Sequence, residues 1–167
     1  MDLLEGIYSR RSIRRYTEEP VTREQLREIV KAGTWAPSGQ NNQPWRFVTI
    51  TDRTILASLA KLTKYSHIIE KAPASIVVFI DRSTMYHEVK DHQSIGACLQ
   101  NMLLAAHGMG LGAVWLGEIL KSADAVRELL AVPKDMELMA VVVVGHPAGK
   151  GGTSSRRLVE EVLLKEL

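Results

Sequence analysis

A single cysteine, Cys98, stands in the 167 residues. One thiol excludes an internal disulfide and any metal site built from several cysteines, and it suits a reducing compartment. No uninterrupted apolar stretch reaches the ~18–20 residues that a membrane-crossing helix needs. The opening MDLLEGIYSRR carries acids where a secretory leader carries bases, so the expectation is a cytoplasmic protein without a membrane partner. Neither charge is in excess: 21 basic against 19 acidic side chains leave +2. That balance excludes a general nucleic-acid coat and makes local clusters the feature to read. No internal repeat and no linker divides the chain. At 46% hydrophobic and 24% charged residues, the composition is that of a globular protein, and one domain over residues 1–167 is expected at this length.

The elements follow from periodicity. Leu3, Leu4, Ile7 and Tyr8 share one face of a short helix from Asp2 to about Ser9. Thr22 and Gln25 form a capping-box pattern ahead of the stripe Leu26, Ile29, Val30, which ends at Gly33. Trp45–Thr51 reads as a strand, Thr54–Leu62 as a helix, Ser75–Ile80 as a buried strand and Asp91–Gly108 as a long helix. Ala113–Leu116 and Leu138–Val144 read as further strands, with Ser122 capping a helix between them. Gly149–Ser155 is a flexible connection, and Arg156–Leu167 is either an amphipathic helix or a docking arm. Strands alternating with helices favour a doubly wound parallel sheet.

Three clusters carry chemistry. RRSIRR (Arg10–Arg15) packs four guanidinium groups and a hydroxyl into six residues, and Arg10 and Arg14 would share a side in a helical stretch. Arginine forks suit a phosphate, although a solvated basic turn has the same composition. Arg156 and Arg157 form a second basic pair able to converge on the same dianion. APSGQNNQP (Ala36–Pro44) is a loop rich in neutral donors and acceptors, with Gly39 permitting close backbone approach. Such a loop can read the polar edge of a heterocycle or simply connect a helix to a strand with its amides in water. GMGLGAVWLGE (Gly108–Glu118) contains G-x-G-x-x-A, but the order is helix then strand, the reverse of a dinucleotide fingerprint. Gly117 and Glu118, just past the strand, can offer backbone N–H groups to a ligand.

Other motifs fail on geometry. His87 and His92 are five residues apart and diverge around a helix, which argues against a metal site. Cys98 lies on an apolar stripe and reads as an inert buried thiol. There is no G-x-S-x-G elbow, and His67, His107 and His146 read as packing or surface residues.

Taken together and in order, RRSIRRY, APSGQNNQPWRF, DHQSIGACLQNMLLAAHGMGLGAVWLGE, VVVVGHPAG and RRLVEEV resemble the FMN-dependent nitroreductase family over most of the chain. The resemblance implies an α+β fold with a mixed, largely antiparallel sheet flanked by helices, in place of the parallel sheet. It implies a homodimer with FMN at the subunit interface. Arg10, Arg11, Ser12 and Arg14 of one subunit, joined by Arg156 at the phosphate, would hold the cofactor. Pro37, Ser38, Gly39, Asn41 and Gln43 would come from the other subunit, and the backbone of Gly117 and Glu118 would face the flavin N5 side. The implied activity is ping-pong transfer of hydride from NAD(P)H to an electron-poor acceptor such as a nitroaromatic or quinone, with no side chain assigned as acid or base. The same cradle would also serve reductive dehalogenation or flavin reduction. A non-catalytic binder of a phosphate ligand or nucleic acid is the reading from a different class.

Overall fold

The computed structural model describes residues 2–167. Local chemistry sets the helix starts. Asp2 and Glu5 close a capping box on α1 (Leu3–Ser9), and Thr22 and Gln25 close a second on α2 (Arg23–Thr34). Asp52 accepts from Thr54 and Ile55 N–H at the head of α3 (Arg53–Ala60). A short α4 (Ser66–Glu70) occupies a stretch for which no element was predicted. The long α5 (Glu88–Gly108) begins three residues before Asp91, because His87 Nδ1 accepts the Lys90 N–H and serves as its N-cap. Ser122 does not cap α6 (Ala123–Leu129): it ends a 3-10 turn over Glu118–Ser122 and makes no capping bond. The tail forms one exposed turn, α7 (Val159–Val162), rather than a long amphipathic helix.

The sheet comprises β1 (Trp45–Ile50), β2 (Ala74–Asp81), β3 (Gly112–Leu116) and β4 (Met136–Gly145) in the order β1-β2-β4-β3. Every neighbouring pair is antiparallel, which corrects the doubly wound parallel expectation. The parallel component is a bridge between Ser12 and Ala113 on the outer side of β3, so the sheet is the largely antiparallel one that the resemblance implied.

Helices cover both faces. Ile76, Val78 and Ile80 of β2 pack with α2 and α5, while Val77 and Phe79 pack with α3, α4 and α6. Alternate residues of β4 divide in the same way, Val142 and Val144 to the first core and Val141 and Val143 to the second. The end of β4 is crowded: a Cβ on Gly145 would lie 2.7 Å from Pro73 Cδ and from Tyr16 Cδ1. The Tyr16 hydroxyl is fixed by donating to the Ile13 carbonyl at 2.6 Å. Gly145→Ala is therefore expected to destabilise the protein by about 1–3 kcal/mol, read as a lowered urea midpoint at unchanged slope.

Candidate functional site

Arg10–Arg15 is not helical. Ile13 N–H donates to Ala113 O at 3.0 Å, Thr17 N–H to His146 O at 2.9 Å, and Ala148 N–H to Arg15 O at 3.0 Å. These bonds stitch the segment between β3 and the turn that follows β4, so helical spacing does not relate Arg10 to Arg14. The glycines after β4 lie against it: a Cβ on Gly151 would sit 2.4 Å from Arg11 Cβ. Between them is a cleft of about 260 Å3 lined by Ser12–Arg15 and Gly149–Gly152.

Charge collects at this edge without compensation. Burial, followed by the like charges of Arg11 and Arg156, pushes the Arg10 guanidinium below its ordinary value. Two arginines from opposite ends of the chain thus share one neighbourhood. Among the described residues, none of Arg10, Arg11, Arg14, Arg15, Arg156 and Arg157 has a carboxylate within 4.0 Å. Part of the Arg11 fork is engaged internally, donating to Tyr8 O and Arg10 O at 2.7 Å each.

The polar loop is built with backbone strain. Gln40, Asn41 and Gln43 have φ of 53°, 56° and 49°, the left-handed region that few side chains adopt. Ser38 Oγ accepts the Gln43 N–H at 3.1 Å, and Gln43 Nε2 donates to Asn41 O at 3.2 Å. The anchor is Asp91, which sequence reasoning placed on the helix without a role. Its side chain is fully buried and accepts from Asn42 Nδ2 at 2.8 Å and from the Tyr86 and His87 N–H groups at 2.9 Å each. Burial alone would raise its pKa. The bonds from His87, Asn42 and Tyr86 outweigh that and hold it below the usual carboxylate value.

Loop and arginines lie at opposite corners of the sheet. Trp45, where the loop ends, is opposite Ile80, and Ile80 is opposite Glu137; Ala113 is opposite Val144. Seven residues of β4 separate the two levels, and four strand spacings separate β1 from the basic segment. At ~3.3 Å per residue and ~4.8 Å per strand, the diagonal is roughly 30 Å. A separate cleft of about 410 Å3 adjoins the loop and shares no lining residue with the arginine cleft. Another cleft, about 670 Å3, lies beside Tyr16–Glu18 and Pro20–Val21 and is lined by none of the predicted residues.

Gly117 and Glu118 follow β3, with the Trp115 indole beside Gly117. The Glu118 carboxylate is tied by Lys121, then by the buried Thr63 hydroxyl at 2.6 Å and the Lys64 N–H at 3.2 Å, which lower its pKa to about 2. Thr63 and Lys64 were missed from sequence. Nothing local in AKLTKY, residues 60–65, marks a partner 55 residues away.

His87 caps α5, His92 Nδ1 meets Glu88 O, and no group of three His, Cys, Asp or Glu side chains among the described residues could hold a metal. The Cys98 thiol is buried beside Met102, and burial pushes its pKa up to about 12. No helix among the described residues is long and apolar enough to cross a membrane.

The architecture is that of α+β oxidoreductases of the nitroreductase fold. A provisionally designated nitroreductase of Desulfovibrio desulfuricans, crystallised in complex with FMN, is 51% identical and superposes with a TM-score of 0.95 over 100% of this chain and 98% of that one. The NADPH:FMN oxidoreductase of Vibrio harveyi, complexed with NAD+, gives a TM-score of 0.87 at 29% identity over 98% of this chain and 76% of its own. A provisionally designated NADH dehydrogenase/NAD(P)H nitroreductase of Archaeoglobus fulgidus is 36% identical over 87% of this chain and 86% of its own length. The nitroreductase family profile matches residues 7–65 and 60–146. The chain belongs to the nitroreductase family.

Proposed function

We propose that the protein is an FMN-dependent oxidoreductase that takes hydride from NAD(P)H and reduces an electron-poor acceptor such as a nitroaromatic or quinone. The observation that carries this reading is the arginine edge: Arg10 and Arg156, with Arg11 and Arg14 nearby in the chain, gather where no acid balances them. Such a cluster is stabilised by an added dianion, and a phosphate tail supplies one. The donor set fits FMN: Arg10, Arg11, Ser12, Arg14 and Arg156 for the phosphate end, and Pro37, Ser38, Gly39, Asn41 and Gln43 for the polar ring edge. The backbone N–H groups of Gly117 and Glu118 are the third contact, at the N5 side.

Bound FMN supplies the two-electron redox chemistry. The chain binds and orients it. Cationic and N–H donors preorganised along one edge favour negative charge there without a proton donor. Glu118 stays ionised at neutral pH and holds the Gly117–Glu118 turn against the Thr63–Lys64 loop. The buried Cys98 thiol suits a cytoplasmic setting and takes no part.

The site belongs to a homodimer. A single ligand does not bridge two corners roughly 30 Å apart on one sheet, so the loop of one copy completes the arginine cleft of another. Unpartnered apolar surface is available for that contact: Leu3, Leu4 and Tyr8 of α1 and Leu158, Val159 and Leu164 of the tail are all exposed by more than half.

An absorbance spectrum of the purified protein, followed by anaerobic titration with NADPH and NADH, tests cofactor and donor together. A flavin band near roughly 450 nm that bleaches on titration is expected. A colourless sample that takes up no FMN sinks the reading, and steep salt-dependent RNA binding in its place would favour the non-catalytic alternative. Dimers carrying Arg14→Ala on one chain and Asn41→Ala on the other test the shared site. One of their two sites is left intact, so about half the wild-type flavin content is expected, and empty mixed dimers would refute the arrangement.

A further inference from the structure

We propose that the cleft between the polar loop and the first turn of α5 is the acceptor subsite, with Tyr86 as its aromatic wall and Lys90 as an anchor for an anionic substituent. The class of acceptor it selects is a planar, electron-poor aromatic acid. The inference rests on the FMN reading above and adds the substrate class.

Tyr86 and the loop are one construction. The Tyr86 hydroxyl occupies the place a side chain on residue 39 would take, 1.9 Å from where a Cβ on Gly39 would lie. The ring therefore stands directly against the backbone of the loop proposed to cover the flavin. Asp91 fixes both sides at once, binding Asn42 in the loop and the Tyr86 and His87 N–H groups. The cleft, about 410 Å3, is lined by Pro37, Ser38, Gly39, Tyr86, Lys90 and Gln93 among others, enough for a substituted benzene ring.

Its electrostatics are one-sided. Lys90 Nζ lies 5.5 Å from the Tyr86 ring centroid, a cation–π arrangement that holds the ammonium over the cleft wall. Among the described residues no carboxylate lies within 4.0 Å of it. The neighbouring acid, Asp91, is turned inward and fully occupied.

The test uses the FMN-loaded protein and two acceptors of equal shape, 4-nitrobenzoate and the neutral 4-nitrobenzamide. Calorimetric Kd values for the oxidised protein and KM values at saturating NADPH are both measured. Wild type is expected to favour the benzoate by about threefold to tenfold. Lys90→Gln should bring the two compounds together, Lys90→Glu should reverse the order, and Tyr86→Leu should weaken both by about threefold to tenfold. Flavin content should stay at the wild-type level in both Lys90 variants. A benzoate preference that survives Lys90→Glu, or a change confined to the KM for NADPH, overturns the subsite while leaving the oxidoreductase reading intact. A wild-type protein that holds no flavin overturns the parent reading, and the subsite with it.

Discussion

The double variant Arg10→Ala/Arg156→Ala is expected to purify colourless and to bind added FMN roughly 10²–10⁴-fold more weakly than wild type. Two guanidinium groups that approach each other with no acid between them are costly when nothing sits there and favourable when a dianion does. Each charge-assisted bond is worth about 1.5–3 kcal/mol, and losing two gives that range. A second readout separates this from misfolding. Stripped of flavin, the variant should withstand urea at least as well as the stripped parent, because two like charges have been removed from a partly buried edge. Unchanged FMN affinity would show that the phosphate lies elsewhere.

Replacing Asp91 with Ala is expected to destabilise the fold by about 2–4 kcal/mol and to lower flavin retention as well. Three donors lose their acceptor: the Tyr86 and His87 N–H groups are left unpaired, and the Asn42 amide keeps only its longer bond to the Thr84 carbonyl at 3.3 Å. The effect carries a pH signature. The folded value of Asp91 lies below its unfolded value, so its contribution is complete above the ordinary carboxylate range and fades as pH falls through the folded value. Urea midpoints of wild type and variant should therefore differ most near neutrality and converge in acid. A difference that stays constant between about pH 7 and pH 3 would mean that the carboxylate's charge has no part in holding the loop.

Much of this was legible beforehand, and the failures have physical causes. The capping box Thr22–Gln25 announced α2 because its partners are three residues apart, and apolar spacing announced α1. The sheet was misread from periodicity for a specific reason. SIVVFI has no polar alternation because α2 and α5 cover one face of β2 while α3, α4 and α6 cover the other. A strand buried on both sides looks the same in parallel and antiparallel sheets. The arginines proposed to hold the phosphate stand as two runs in the sequence, but their meeting depends on the turn after β4 folding back on Arg10–Arg15. Asp91 read as an ordinary acid in the first turn of a helix, and only Asn42, 49 residues earlier, shows that it is buried. The Thr63–Glu118 bond was hidden in the same way.

In the proposed shared site, whose two clusters lie at far corners of one sheet, an isolated copy of this chain has only half a grip on FMN. Capture of the cofactor is then second order in polypeptide, and ligand and association reinforce one another. Dilution should bleach the protein cooperatively, and added FMN should drive its reassembly.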